Sequence, residues 1–271
     1  MVVSIGLDLS SSDAKLARAR VHFEALKAEC ASVIEHRHPY KIRVSDVDQQ
    51  TGWCSMFVTL HDLAEYDLGI LVGDVIHNLR CALDYIVTAL VEASGETLRN
   101  KHKFPIYTDQ VAYEQGVGNA TSALKGGPLR DIVHGLRQIW DVQPFHRKPQ
   151  PEADPLFVVN RFSNADKHRV IAAFMPFLNG MKGSFEGGDV VEQQTQTPPV
   201  GVETNREYEV ERFRFAAPYP AQVKLNIEVF VRVNFGTPAF GQHGVGHMIS
   251  IEMLKATCEH VATVTNLFKG L

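Results

Sequence analysis

Apolar residues return at helical spacing after Ser10, alternate with polar ones from residue 40 to 60, and run almost unbroken from 68 to 93. They alternate again over 208–215 and 221–235. Each period predicts an element. Ser10-Ser11-Ser12-Asp13 is a cap signal for a helix reaching about Glu35, with Leu16, Ala19, Phe23, Leu26 and Cys30 on its inner face. Pro39 ends it. Tyr40–Val47, the turn Asp48-Gln49-Gln50-Thr51-Gly52 and the return run Trp53–Leu60 predict a β-hairpin. Leu68 to Ala93 is a long helix, apolar enough to be buried. Phe104-Pro105-Ile106-Tyr107 is a short extended piece, 109–127 helix plus loop, and Leu129–Trp140 a helix stopped by Gln143-Pro144-Phe145. A proline-rich loop from Lys148 leads to a helix over Pro155–His168, with Pro155 in its first turn.

After Arg169 the pattern turns to strand. Val170–Leu178 is extended and apolar. In 221–235, Val223, Leu225, Ile227, Val229, Val231, Val233 and Phe235 fall on one face, the mark of a one-sided antiparallel strand. A glycine-rich loop, 236–246, precedes a closing helix, Ile249–Phe268. The order helix, hairpin, helices, sheet, helix predicts an α+β fold. We expect one domain over 1–271, with a helical motif region at about 65–169 and the sheet and closing helix at about 170–271.

Charge and cysteine content narrow the setting. The net charge is −4, distributed as −6 over residues 1–98, +4 over 99–169 and −2 over 170–271. This excludes a wholesale nucleic-acid coat and leaves the middle of the chain locally basic. Cys30, Cys54, Cys81 and Cys258 form no CxxC pair, which points to reduced thiols in a cytosolic protein. The N-terminus lacks the basic region of a signal peptide. Asp74, His77, Arg80 and Asp84 interrupt the longest apolar run, so no membrane span is expected.

Those four residues are the chemical centre of interest. Gly73-Asp74-Val75-Ile76-His77-Asn78-Leu79-Arg80-Cys81-Ala82-Leu83-Asp84 carries costly polar groups on an otherwise apolar helix. His77, Arg80, Cys81, Asp84 and Thr88 fall within one arc, with Asp74 at its border. Arg80 and Asp84 stand at i, i+4, the spacing of an intrahelical ion pair. Gly73 and Cys81 are small, so another segment can approach that side closely. The second cluster, Asn164-Ala165-Asp166-Lys167-His168-Arg169, is the expected partner.

Three chemistries fit. In the first, His77 or His168 is a general acid or base tuned by Asp84 or Asp166, while Asn78, Arg80, Asn164, Lys167 and Arg169 bind an anion such as phosphate. In the second, His77, Asp84, Asp166 and His168 hold a metal, though no HExxH or Glu-x-x-His pair supports it. In the third, the cluster is a buried polar network that fixes helix register. No cofactor is expected. His36-Arg37-His38 reads as cations suited to the dipole at a helix C-terminus, residues 99–103 and His146-Arg147-Lys148 as solvated surface, and His243 and His247 as parts of a mobile turn.

The two motifs, GDxxHNLRxALD and NxDKHR, resemble those of a bacterial family common in actinobacteria to which no function is attached. The likeness extends over most of the chain: N-terminal helix, hairpin, motif helix, a Phe-Pro-Ile segment, a Gln-Pro-Phe segment, DKHR and strands. More loosely, the helical part is similar to HEPN-type proteins, many of them RNases of defence and toxin systems. Their site is an Arg followed after four to six residues by a His. Arg80 matches the Arg, while Tyr85 stands at the His position. The resemblance therefore implies phosphate or RNA binding by Arg80, cleavage only if His77 or His168 substitutes, and a homodimer through the motif helices.

Overall fold

The computed structural model describes residues 6–37, 40–61, 68–99, 102–117, 134–166, 172–196, 205–221, 223–238 and 245–271. In chain order these form α1 (Ser10–Arg37), β1 (Tyr40–Val44), β2 (Trp53–Leu60), α2 (Leu68–Ala93), α3 (Gln110–Gly116) and α4 (Leu136–Asp141). Then come α5 (Pro155–Asp166), β3 (Ala172–Glu186), β4 (Val190–Thr195), β5 (Glu207–Phe215), β6 (Lys224–Pro238), β7 (Val245–Ser250) and α6 (Ile251–Asn266). The fold is α+β, with both sheets antiparallel. The chain divides into two compact units. A helical unit gathers Met1–Lys27, Gly69–Ile171 and Ile251–Leu271; a sheet unit gathers Ala28–Leu68 and Ala172–Ser250.

In the helical unit α2 is the axis. Val72, Val75, Ile76, Leu79, Ala82, Leu83, Ile86, Val87 and Leu90 are all fully buried. Each aliphatic side chain removed from water contributes about 1.5–3 kcal/mol, so this helix carries much of the unit's stability. Helix α1 runs antiparallel to it. Ser12 Oγ donates to the Ala82 carbonyl at 2.9 Å, Lys15 Nζ to Asn78 Oδ1 at 3.4 Å, and His22 Nδ1 lies 3.7 Å from Asp74 Oδ2. The serines after Leu9 therefore do not cap α1. Asp8 does, its carboxylate accepting from the Ser10 amide at 2.9 Å, and Ser12 is a buried tether.

The end of α5 lies against the start of α2 at Gly73, while the ends of α2 and α6 meet at Gly135. A side chain there would strike Leu90 and Phe268, and its φ of +75° suits glycine alone. That conformation cannot occur inside a helix. Of the helix expected over Leu129–Trp140, the described part begins only after it, at Leu136; residues 118–133 lie outside the described set.

In the sheet unit one sheet has the order β1-β2-β5-β4 and the other β3-β6-β7. Strand β2 alternates without fault. Cys54, Met56, Val58 and Leu60 join Val210, Phe213 and Phe215 in a buried cluster, while Trp53, Ser55, Phe57 and Thr59 face the other way, half-buried. On that second face arginines lie over aromatic rings: Arg43 is 4.2 Å from the Phe57 centroid, and Arg212 5.4 Å from that of Trp53. Carboxylates pair with the arginines of this face, in Arg43–Glu207 at 2.7 Å, Arg212–Glu209 at 3.2 Å and Arg214–Glu192 at 2.8 Å. On this face, then, Arg43, Arg212 and Arg214 each have a carboxylate partner. Among the described residues no helix is long and apolar enough to cross a membrane.

Candidate functional site

Helix α2 positions the first motif, and what packs over each turn decides the fate of its polar groups. Arg80 and Asp84 form the expected i, i+4 pair, with Nη2 2.9 Å from Oδ1 and Nε 3.3 Å from Oδ2. Both also hold the backbone of Phe104. The Phe104 amide donates to Asp84 Oδ1 at 2.9 Å, and Arg80 Nη2 donates to the Phe104 carbonyl at 2.8 Å.

The extended piece continues under a third side chain. Gln143 Nε2 donates to the Pro105 carbonyl at 2.9 Å, and Gln143 Oε1 accepts from the Tyr107 amide at 3.0 Å. Gln143 Nε2 also reaches the Ile139 carbonyl at 2.9 Å, anchoring the amide to α4. Phe104–Tyr107 is thus an extended segment whose backbone groups are paired by side chains where a sheet would supply a strand. Arg80 is 12% exposed and, among the described residues, its buried Nη1 has no hydrogen-bond partner. The guanidinium sits inside the protein, committed to a structural contact.

Asn78 is also internal. Its Nδ2 donates one turn back to the Asp74 carbonyl at 2.8 Å, and its Oδ1 accepts from Lys15. It joins α1 to α2. Thr88 Oγ1 donates to the Asp84 carbonyl at 3.3 Å, an ordinary back-bond within the helix.

His77 differs: it is exposed. The α2 face around it also shows Ile70, 56% exposed, and Tyr85, 39% exposed, with Asp74, Cys81 and Thr88 half-buried. Cys81 Sγ lies 3.5 Å from His77 Nε2. One turn before His77, Gly73 is buried, and a Cβ built there would stand 2.5 Å from Asp166 Oδ1. The missing side chain is therefore what lets the Asp166 carboxylate approach α2. Asp166 and Asn164 are both exposed at the end of α5. Lys167, His168 and Arg169 lie outside the described residues.

The site residues accordingly divide. Asn78, Arg80 and Asp84 pair inside the protein. His77, Asn164 and Asp166 face solvent, with Asp166 beside the turn that precedes His77. Among the described residues no three or more His, Cys, Asp or Glu gather as metal ligands. Asp84 in particular has one oxygen on Arg80 and the Phe104 amide and the other on Arg80.

Several participants escaped the sequence reading: Ser12, Lys15 and His22 of α1, Gln143 and the Phe104 backbone. The available signal was the Phe-Pro-Ile and Gln-Pro-Phe segments that accompany the motif, since these are the pieces Arg80, Asp84 and Gln143 bind together. A second titratable group also went unread. His260 on α6 has a buried Nε2 with no hydrogen-bond partner among the described residues. Burial pushes its imidazole below the ordinary range, Asp154 works against that, and Arg147 adds to it. Asp154 is itself buried, its carboxylate accepting from the Leu156 amide at 2.8 Å at the head of α5.

No protein-family model, no curated protein and no solved structure matches the chain.

Proposed function

We propose that the open face of α2 around His77 binds a phosphate-bearing ligand, RNA being the class favoured, with His77 transferring a proton during phosphodiester cleavage. The observation that carries this reading is the exposure of His77 on a helix whose neighbouring Asn78, Arg80 and Asp84 are all engaged internally. An imidazole in water can take a proton from an attacking hydroxyl or return one to a leaving oxygen. The Asp166 carboxylate, for which Gly73 leaves room beside α2, starts the Asp-Lys-His-Arg run, whose Lys167 and Arg169 supply cations for phosphate and whose His168 supplies a second imidazole. The resemblance to HEPN-type proteins supports RNA as the ligand, and a homodimer through α2 goes with it. Four thiols without a disulfide suit a cytosolic setting.

The test is a labelled single-stranded RNA mixed with wild type, His77→Ala and the double variant Lys167→Ala/Arg169→Ala. Wild type should bind and cleave; His77→Ala should bind and not cleave. The double variant should bind more weakly, with a shallower salt dependence. Wild type that neither binds nor cleaves RNA ends the proposal.

A second reading, that the motif serves the fold, is favoured for Arg80 and Asp84 by their shared grip on the Phe104 backbone. For those two residues it replaces the phosphate role, and unfolding measurements on Asp84→Ala decide it.

A further inference from the structure

We infer that Cys81 is a nucleophilic thiol for small disulfides, with His77 as its proton acceptor. The inference rests on the geometry of this pair and stands whether or not the α2 face binds phosphate.

The four cysteines are not equivalent. Cys30, Cys54 and Cys258 are buried at 4%, 2% and 8% exposure. Burial pushes the Cys30 thiol up to about 12 and that of Cys258 up to about 11, and it raises Cys54 as well. A thiol that holds its proton so firmly is a poor nucleophile. Cys81 is half-exposed on the open face of α2, and its sulfur lies 3.5 Å from an imidazole nitrogen. The pair stands at i, i+4, so the rigid helix holds the two groups together without help from a loop. A thiol beside an imidazole that can take its proton is the arrangement that makes cysteine reactive.

Among the described residues, three carboxylates lie near the pair. Asp74, one turn before His77, faces His22 of α1 at 3.7 Å. Asp84, three residues beyond Cys81, is paired with Arg80 and the Phe104 amide. Asp166 of α5 lies at Gly73, one turn before His77. Of these groups, His77, 3.5 Å from the sulfur, is placed to take the thiol proton.

The reaction balances without an outside oxidant beyond the disulfide itself. His77 takes the Cys81 proton, and the thiolate attacks one sulfur of the disulfide. That S–S bond breaks as a mixed disulfide forms on Cys81. The proton on His77 then passes to the departing thiolate or, where that thiolate is too weak a base to take it, to water. The product carries a bulky group on the open face of α2, beside His77.

The experiment follows the coloured thiolate released by dithionitrobenzoate from the folded protein, against pH. Wild type should show one fast-reacting thiol, lost in Cys81→Ser, with the rest released only on denaturation. His77→Gln keeps a hydrogen-bonding side chain but cannot accept the proton. At pH 7 it should slow the fast thiol by about threefold or more, the balance of thiolate fraction against nucleophilicity. Its pH–rate curve should rise at higher pH than that of wild type. Circular dichroism confirms that both variants fold. Should His77→Gln fail to fold, the wild-type curve alone decides, compared with that of a short cysteine peptide. The inference is overturned if wild type reacts no faster than the peptide, if folded His77→Gln matches wild type, or if the fast thiol survives in Cys81→Ser.

Discussion

Two i, i+4 pairs stand three residues apart on α2, and they do opposite things. Arg80–Asp84 closes over the backbone of Phe104 and is largely internal; His77–Cys81 lies on the open face. The helix geometry is the same for both. What separates them is the segment lying above: Phe104–Tyr107 brings unpaired backbone groups that Arg80 and Asp84 satisfy, and it leaves His77 uncovered. A polar residue on a buried helix is thus structural or available according to which backbone needs it.

The sharpest way to break this comparison is Asp84→Ala. It leaves the Phe104 amide without its acceptor and a mostly buried guanidinium without its carboxylate. We expect a loss of about 2–4 kcal/mol in urea unfolding. A loss below roughly 1 kcal/mol, the range of surface pairs, would mean the clamp contributes little.

Next in size is the acid response set by His260. Its folded-state pKa is lowered, chiefly by burial, so the folded state binds fewer protons than the unfolded one as pH falls below about 6.5. Stability should be full above that pH and decline below it. His260→Gln should flatten the decline between pH 7 and 5; an unchanged slope would assign the acid sensitivity to other groups.

Gly73→Ala tests the approach of α5. The new methyl meets the end of an exposed, flexible carboxylate, which can swing aside, while alanine gains roughly 1 kcal/mol of helix propensity. Melting temperature should stay level or rise, while RNA affinity changes if Asp166 belongs to the site. A marked fall in melting temperature would show that Gly73 serves packing instead. Smallest is Arg43→Ala on the sheet: its pair with Glu207 is 47% and 41% exposed, so urea unfolding should stay close to that of wild type apart from the lost contact with Phe57, and a loss as large as that of Asp84→Ala would contradict this.

Much of this architecture is legible in the sequence where one face is buried. The hairpin β1–β2 and the helix α2 follow their apolar period, and β6 forms over the stretch where alternation predicts a strand. Strand β4, Val-Val-Glu-Gln-Gln-Thr, escapes because it is an edge strand with no buried side chain to set a period. Strand β7 occupies residues that read partly as a glycine-rich loop and partly as the start of a helix, which instead begins at Ile251. At the site, the Arg80–Asp84 spacing and the role of Gly73 as a place of close approach are legible, because both are local to one helix. The partner of the Arg80–Asp84 pair is not. It is a main-chain amide and carbonyl twenty residues away, and backbone groups carry no mark in the sequence.

The division of α2 into a structural and an available half is tested most directly by urea unfolding of His77→Ala beside Asp84→Ala. The account predicts that His77→Ala unfolds within about 0.5 kcal/mol of wild type, as an exposed residue should, while Asp84→Ala loses several times that. Equal losses in the two variants would contradict it.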